Sequence, residues 1–163
     1  MKKAICFFVL ILFTVGLFPG IPASRLQRQK DRLTGKVCKA MFQVIDDEAV
    51  KHHDYFLVFL FSGFDCQPCI KDGFRFARQA EDDFHEIYLV GSNANVGMLQ
   101  LRYDYHRFIY NDVKEIIRKE LKYILTPVFL LLNKKGEIVS IHYVIRGSWE
   151  QEKNVLLNKL KSL

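Results

Sequence analysis

Two cysteines separated by two residues, Cys66 and Cys69, sit in the stretch Ser62-Gly63-Phe64-Asp65-Cys66-Gln67-Pro68-Cys69-Ile70. A dithiol at this spacing can close as a disulfide and reopen. The apolar run before it reads as a strand and the residues after it as a helix, so Cys66 falls at a helix N-terminus. There, unpaired backbone N–H groups and the positive end of the helix dipole favour a thiolate. Cys69, one turn in, is placed to resolve a mixed disulfide. Two other chemistries use the same residue types. A C-x-x-C pair can be half of a zinc site, but that needs two more ligands at suitable spacing, and the remaining cysteines, Cys6 and Cys38, make no second pair. A purely structural disulfide is the third reading. Asp65 also reads two ways, as a helix cap or as a negative charge that opposes the Cys66 thiolate and modulates its pKa.

The elements that must position this pair follow from the pattern around it. Tyr55 to Phe61 is a continuous apolar run, the signature of a parallel strand covered on both faces. It points at Cys66, as sites in α/β sheets do. Pro68 suits a first helical turn, where its missing N–H costs little. Ile70, Phe74, Ala77 and Phe84 then mark the covered side of a helix. Glu86 to Gly91 predicts a second buried strand. Ser92 to Tyr110 has no clear period; Tyr103, Tyr105, His106 and Tyr110 are expected to pack on the core, a partner-binding face being the alternative. Asn111 is expected to cap a helix carrying Val113, Ile116, Ile117 and Leu121. Thr126-Pro127 opens the run Val128 to Leu132, with the proline at the strand's start, where it removes no ladder bond. Asn133-Lys134-Lys135-Gly136 predicts a hairpin into Ile138 to Ile145, with Val139, Ile141, Tyr143 and Ile145 on one face and Ser140 and His142 on a partly wet one. A last helix uses Trp149, Leu156, Leu160 and Leu163.

Half of the 163 residues are hydrophobic, with fourteen Phe and seven Tyr, enough for one domain with an aromatic core. The net charge of +6 is spread among acids, which argues for a solvated surface and against a nucleic-acid partner. Met1-Lys2-Lys3 and the apolar Ala4 to Phe18, broken by Pro19 to Ser24, form a secretory pattern. Residues 1–24 are expected as a cleaved signal peptide or an N-terminal membrane anchor. Residues 25–40 are expected as a polar connector holding an inert Cys38, a second resolving or mixed-disulfide cysteine being the alternative, and residues 41–163 as the folded domain. Met41 to Ile45 is expected as a short strand, and Asp46 to Glu48 as the start of a helical turn.

Taken together, strand, C-x-P-C, helix and the later Thr126-Pro127 before an apolar strand resemble the thioredoxin-like superfamily, and within it the secreted thiol-disulfide oxidoreductases of the TlpA and ResA type. The resemblance covers about Tyr55 to Leu163. It implies an α/β fold with a central mixed β-sheet and helices on both faces. It implies a cis proline at Pro127 beside Cys66, with the backbone of Thr126 free to pair with a substrate chain. It implies exchange with protein thiols or disulfides through Cys66 and Cys69, without metal or organic cofactor, and electrons passed to or from a membrane-bound partner. The site would lie in the periplasm or at the outer face of the cytoplasmic membrane. The chain departs from the pattern at Leu60, where thioredoxins bury an acid, and at Asp65, where they carry Trp. The ResA type's Glu after the first cysteine has no counterpart either, so Asp65 is left as a local substitute. The opposed effects on Cys66 predict a reducing, thioredoxin-like poise. A peroxiredoxin-like thiol peroxidase is a rival, but its Thr three residues before the cysteine is Gly63 here. A non-catalytic envelope binding protein with a structural disulfide is another.

Overall fold

The computed structural model describes residues 23–46 and 48–163. Residues 1–22 of the expected leader, with Cys6, and Asp47 lie outside the described residues, while Ala23 and Ser24, the leader's expected last two residues, already belong to a helix. Five strands form one mixed sheet in the order β3-β2-β1-β4-β5: β1 Tyr55–Ser62, β2 Ile87–Ser92, β3 Ile109–Asn111, β4 Val128–Asn133 and β5 Ile138–Tyr143. β1 runs parallel to β2, and β2 to β3; β4 is antiparallel to both β1 and β5. Among the described residues six α-helices flank it: α1 Ala23–Leu33, α2 Ala40–Val44, α3 Gln67–Ala80, α4 Val96–Tyr103, α5 Ile116–Glu120 and α6 Trp149–Leu160.

The continuous apolar run of β1 serves two cores, because successive side chains leave a strand on opposite faces. Phe56, Val58 and Leu60 join one core with Leu33, Met41, Ile117 and Leu121, from or beside α1, α2 and α5. Leu57, Phe59 and Phe61 join the other with Ile70, Phe74, Leu99, Trp149 and Leu156, from α3, α4 and α6. β1 is buried from Phe56 to Ser62. The helix bearing the cysteines is pressed against this strand. At Gly73 an added Cβ would collide with the Phe59 ring, so any larger residue would push α3 off the sheet.

Several expectations are corrected. Residues 25–40 do not form a plain connector: α1 is helical through Leu33, and Leu26 and Leu33 pack on the sheet. Its docking is polar as well. Lys30 Nζ lies 2.6 Å from Glu152 Oε1, and Gln29 Oε1 accepts from Tyr143 Oη at 2.6 Å and from Leu125 N. Met41 to Ile45 is not a strand; Ala40–Val44 is helical, because Glu120 accepts the Lys39 and Ala40 N–H groups at its start. Asn111 ends β3 and caps nothing. The next residue, the buried Asp112, accepts from Ile116 N and Ile117 N, so α5 starts later and Val113 is exposed. A register shift between Leu131 and Leu132 opposite Ile138 and Ser140 turns Val139 away from Ile141 and Tyr143. His142 is buried rather than wet, held between Glu152 Oε2 and Ser140 Oγ at 3.1 Å each. Burial pushes the Glu152 carboxyl up, but the hydrogen bonds and charges of His142 and Lys30 outweigh it and hold it below its ordinary value.

Candidate redox site

β1 delivers the chain to the C-terminal edge of the sheet and Gly63 turns it. A Cβ at position 63 would strike the Asn93 carbonyl oxygen and come within 3.2 Å of Ala94 Cα. Only glycine lets the turn before the cysteines pack this closely on the turn after β2. Gly63 N donates to Ser92 O at 2.9 Å and Asp65 N to Ser62 O at 3.0 Å, which closes the turn.

Cys66 then occupies the N-cap of α3. Its Sγ accepts from the Cys69 N–H at 3.4 Å, and Ile70 N donates to its carbonyl at 2.9 Å. Pro68 lies within the first turn. Cys66 and Cys69 are joined as a disulfide with Cα atoms 5.2 Å apart. The two sulfur-bearing residues differ in access: Cys66 is exposed and Cys69 is buried, at 6%. An attacking thiol must meet its partner at the surface, and a resolving thiol need not. The same cap N–H that touches Cys66 Sγ is a donor a thiolate would keep.

Asp65 is not the cap. Its Oδ2 accepts from Ser62 N at 2.7 Å and its Oδ1 from Thr126 Oγ1 at 2.8 Å. The carboxylate thus ties the cysteine turn to the residue before Pro127. The Thr126–Pro127 bond is cis, as the family resemblance implies. Burial raises the Asp65 carboxyl above its ordinary value, while the Ser62 N–H, the Thr126 hydroxyl and the Arg118 charge pull it back.

Phe64, 86% exposed, and Met98, 56% exposed, stand near the pair, with a cleft of about 190 Å³ lined by Gly63, Gln67, Asn93, Ala94 and Met98 among others. Gln67 inside the motif accepts from Arg102 Nη1 and Tyr103 Oη, each at 3.2 Å. Of the stretch without a clear period, Tyr103, Tyr105 and Tyr110 pack on the cores as expected, but His106 does not: its side chain is exposed beside Asp104. Tyr103 lies on Phe74 with ring centroids 4.7 Å apart, and Tyr105 is buried with its hydroxyl on Glu81. Cys38 is fully buried, 3.6 Å from Glu120 Oε2, and its thiol is pushed up to about 12, first by burial and then by Glu120. Among the described residues no group of three or more His, Cys, Asp or Glu side chains is arranged to hold a metal ion. Among them, too, no helix is long and apolar enough to cross a membrane.

Three of these links escaped the sequence: Asp65 to Thr126, Gln67 to Arg102, and Cys38 to Glu120. They join positions 61, 35 and 82 residues apart, and no local spacing announces them.

Solved structures share this fold. A protein described as thiol:disulfide interchange protein DsbE from Chlorobium tepidum is 14% identical, over 70% of this chain and 82% of its own, with a TM-score of 0.56. A secreted disulfide oxidoreductase of Mycobacterium tuberculosis, described as homologous to E. coli DsbE, is 14% identical over 68% and 82%, with a TM-score of 0.50. Peroxiredoxin Q of Xanthomonas campestris is 13% identical over 68% and 80%, with a TM-score of 0.52. No family model matches the chain, and no curated protein matches it. At these identities the likeness shows the fold: the chain has the thioredoxin-like α/β fold.

Proposed function

We propose that the protein is an extracytoplasmic thiol-disulfide oxidoreductase that reduces protein disulfides. One observation carries the reading: an exposed Cys66 at a helix N-cap, disulfide-bonded to a buried Cys69 one turn in. In the reduced protein the Cys66 thiolate attacks one sulfur of a substrate disulfide. That S–S bond breaks, the departing sulfur takes a proton, and a Cys66–substrate mixed disulfide forms. Cys69 loses its proton, attacks Cys66 Sγ and expels the second substrate sulfur. Two electrons pass to the substrate and the Cys66–Cys69 disulfide is left. A membrane-bound partner returns them. Thr126 and Pro127 bind the substrate backbone beside Cys66, and Asp65 modulates the thiolate.

The fold shared with peroxiredoxin Q brings the peroxidase reading forward, but Gly63 stands where that chemistry needs a hydroxyl, three residues before Cys66.

Insulin reduction driven by dithiothreitol tests the activity: wild type accelerates it, Cys66→Ser does not, and equal rates would sink the reading. The Cys66–Cys69 potential tests the direction. A value near thioredoxin's, about −270 mV, fits a reductase, and one near about −120 mV marks an oxidant. For location, a fusion of residues 1–40 to a reporter active only outside the cytoplasm should be active; an intact but inactive fusion overturns export.

A further inference from the structure

The helix that opens on Cys66 carries Lys71, Arg75 and Arg78 on one exposed stripe, at i, i+4 and i+7. Facing them, α4 and the residue after it bring Arg102, Tyr103 and Asp104. Together with Phe74, these six residues line a cleft of about 250 Å³ whose walls hold four cations and one carboxylate. Asp104 is shared, with its Oδ2 3.3 Å from Arg78 Nη1 and its Oδ1 3.3 Å from His106 Nε2. Arg75 has Asp72 at 3.7 Å. Lys71, exposed, makes no ion pair with any described residue. The cleft therefore keeps a positive excess. It also adjoins the redox site, because Arg102 lines both this cleft and the smaller one beside Gly63, and donates to Gln67 within the motif.

We propose that this cleft binds acidic residues flanking the cysteine of the polypeptide on which the dithiol acts; the inference rests on the dithiol-exchange reading above. The geometry sets the reach. A helix rises about 1.5 Å per residue, so Lys71 to Arg78 lie about 7 to 18 Å along the axis from Cys66. An extended chain advances about 3.3 Å per residue, so acids about two to five residues from the substrate cysteine fall over the stripe. A low-dielectric cleft of one sign raises the local concentration of the opposite charge and speeds encounter.

Peptides with one cysteine activated as a 2-pyridyl disulfide test this. Cys66 attacks the peptide sulfur, pyridine-2-thione leaves, and Cys69 then releases the peptide thiol. The residues two to five places from the cysteine are two Glu, two Gln or two Lys. Each second-order rate is divided by the same protein's rate with the neutral disulfide of 2-mercaptoethanol. For wild type we expect Glu to exceed Gln by about fivefold at low salt and Lys to fall below Gln, with the spread collapsing near 0.5 M salt. In Lys71→Gln/Arg75→Gln, two exposed positions, the Glu-to-Gln ratio should fall to about one. Equal wild-type rates for the three peptides overturn the proposal. So does a preference for Glu that the double variant leaves intact. No exchange even with the neutral disulfide fells the redox reading instead. The cleft is then judged by calorimetry with the same peptides carrying Ser for Cys, where equal affinity of wild type and double variant for the Glu peptide overturns it.

Discussion

Cys38 and Cys66 are the same residue type, each next to a carboxylate that collects two other donors, yet they are opposite in chemistry. Glu120 accepts the Lys39 and Ala40 N–H groups beside Cys38. Asp65 accepts the Ser62 N–H and the Thr126 hydroxyl beside Cys66. The difference lies in what the sulfur itself meets. Cys38 Sγ is buried and directed at the Glu120 carboxylate, so ionising it would put an unsolvated negative charge against another. Cys66 is an exposed residue and its Sγ receives a backbone N–H at a helix start. Burial and the identity of the nearest dipole, more than the presence of an acid, decide which thiol can react.

The largest consequence is selectivity. With its thiol pushed up to about 12, Cys38 is thiolate in only about one molecule in 10⁵ at pH 7. A limiting alkylating reagent added to the reduced, folded protein should label Cys66, with Cys69 far behind and Cys38 labelled only after unfolding. Peptide mapping by mass spectrometry reads this out. Labelling of Cys38 at a comparable rate would break the contrast, and labelling of Cys69 before Cys66 would reverse the two roles.

A smaller effect is read in stability. A thiol raised in the folded state keeps its proton after the unfolded chain has lost it. Its contribution is therefore full below the unfolded value, about 8.5, and is lost as pH rises toward the folded one, near 12. The slope is up to about 1.4 kcal/mol per pH unit. In the oxidised protein Cys66 and Cys69 do not titrate, so the slope isolates Cys38. Urea unfolding between pH 7 and 9.5 should show wild type losing about 1 kcal/mol more than Cys38→Ser, whatever constant offset the serine adds. Parallel pH profiles would mean that Cys38 ionises freely in the fold.

The same contrast marks what was legible in the sequence. The frame around Cys66 announced itself locally, as an apolar run long enough to be a buried strand and a proline in the first helical turn, whereas the links of Asp65 to Thr126 and of Gln67 to Arg102 did not. Around Cys38 nothing did. The stretch Ala40–Val44 is five residues long, too short for a period of two to be told from one of 3.6, and its helix is started by Glu120, eighty residues away. β3 has three residues and takes its place only by pairing Leu89, Val90 and Gly91 on β2. The one-residue error at Asn111 and Asp112 has a similar cause. Both residue types can cap, and only the fold aims Asp112 at the Ile116 and Ile117 N–H groups.

The finest test of the contrast is Asp65→Asn. An asparagine can keep both links, because its carbonyl oxygen accepts from Ser62 N–H while its amide donates to Thr126, whose hydroxyl oxygen is also an acceptor. The turn is retained and only the charge is removed. A carboxylate within about 4–6 Å of a titrating group moves it by about one to three pKa units. Asp65, turned toward Ser62 and Thr126, should do less, so the Cys66 thiolate should form at lower pH in the variant by under about one unit. Its absorbance in the reduced protein measures this, with Cys66→Ser as blank. A second signal checks that the carboxylate itself was at work. Because burial raises the Asp65 carboxyl, the stability linked to it is complete below about pH 3.9 and declines as pH rises through the folded value, and the variant should lack that decline. If the decline disappears while the thiolate titration stays put, Asp65 is a clamp on Thr126 and the charge argument fails. If the thiolate forms at higher pH instead, the carboxylate takes the thiol proton, and the acid missing at Leu60 has been replaced from the other side of the cysteine.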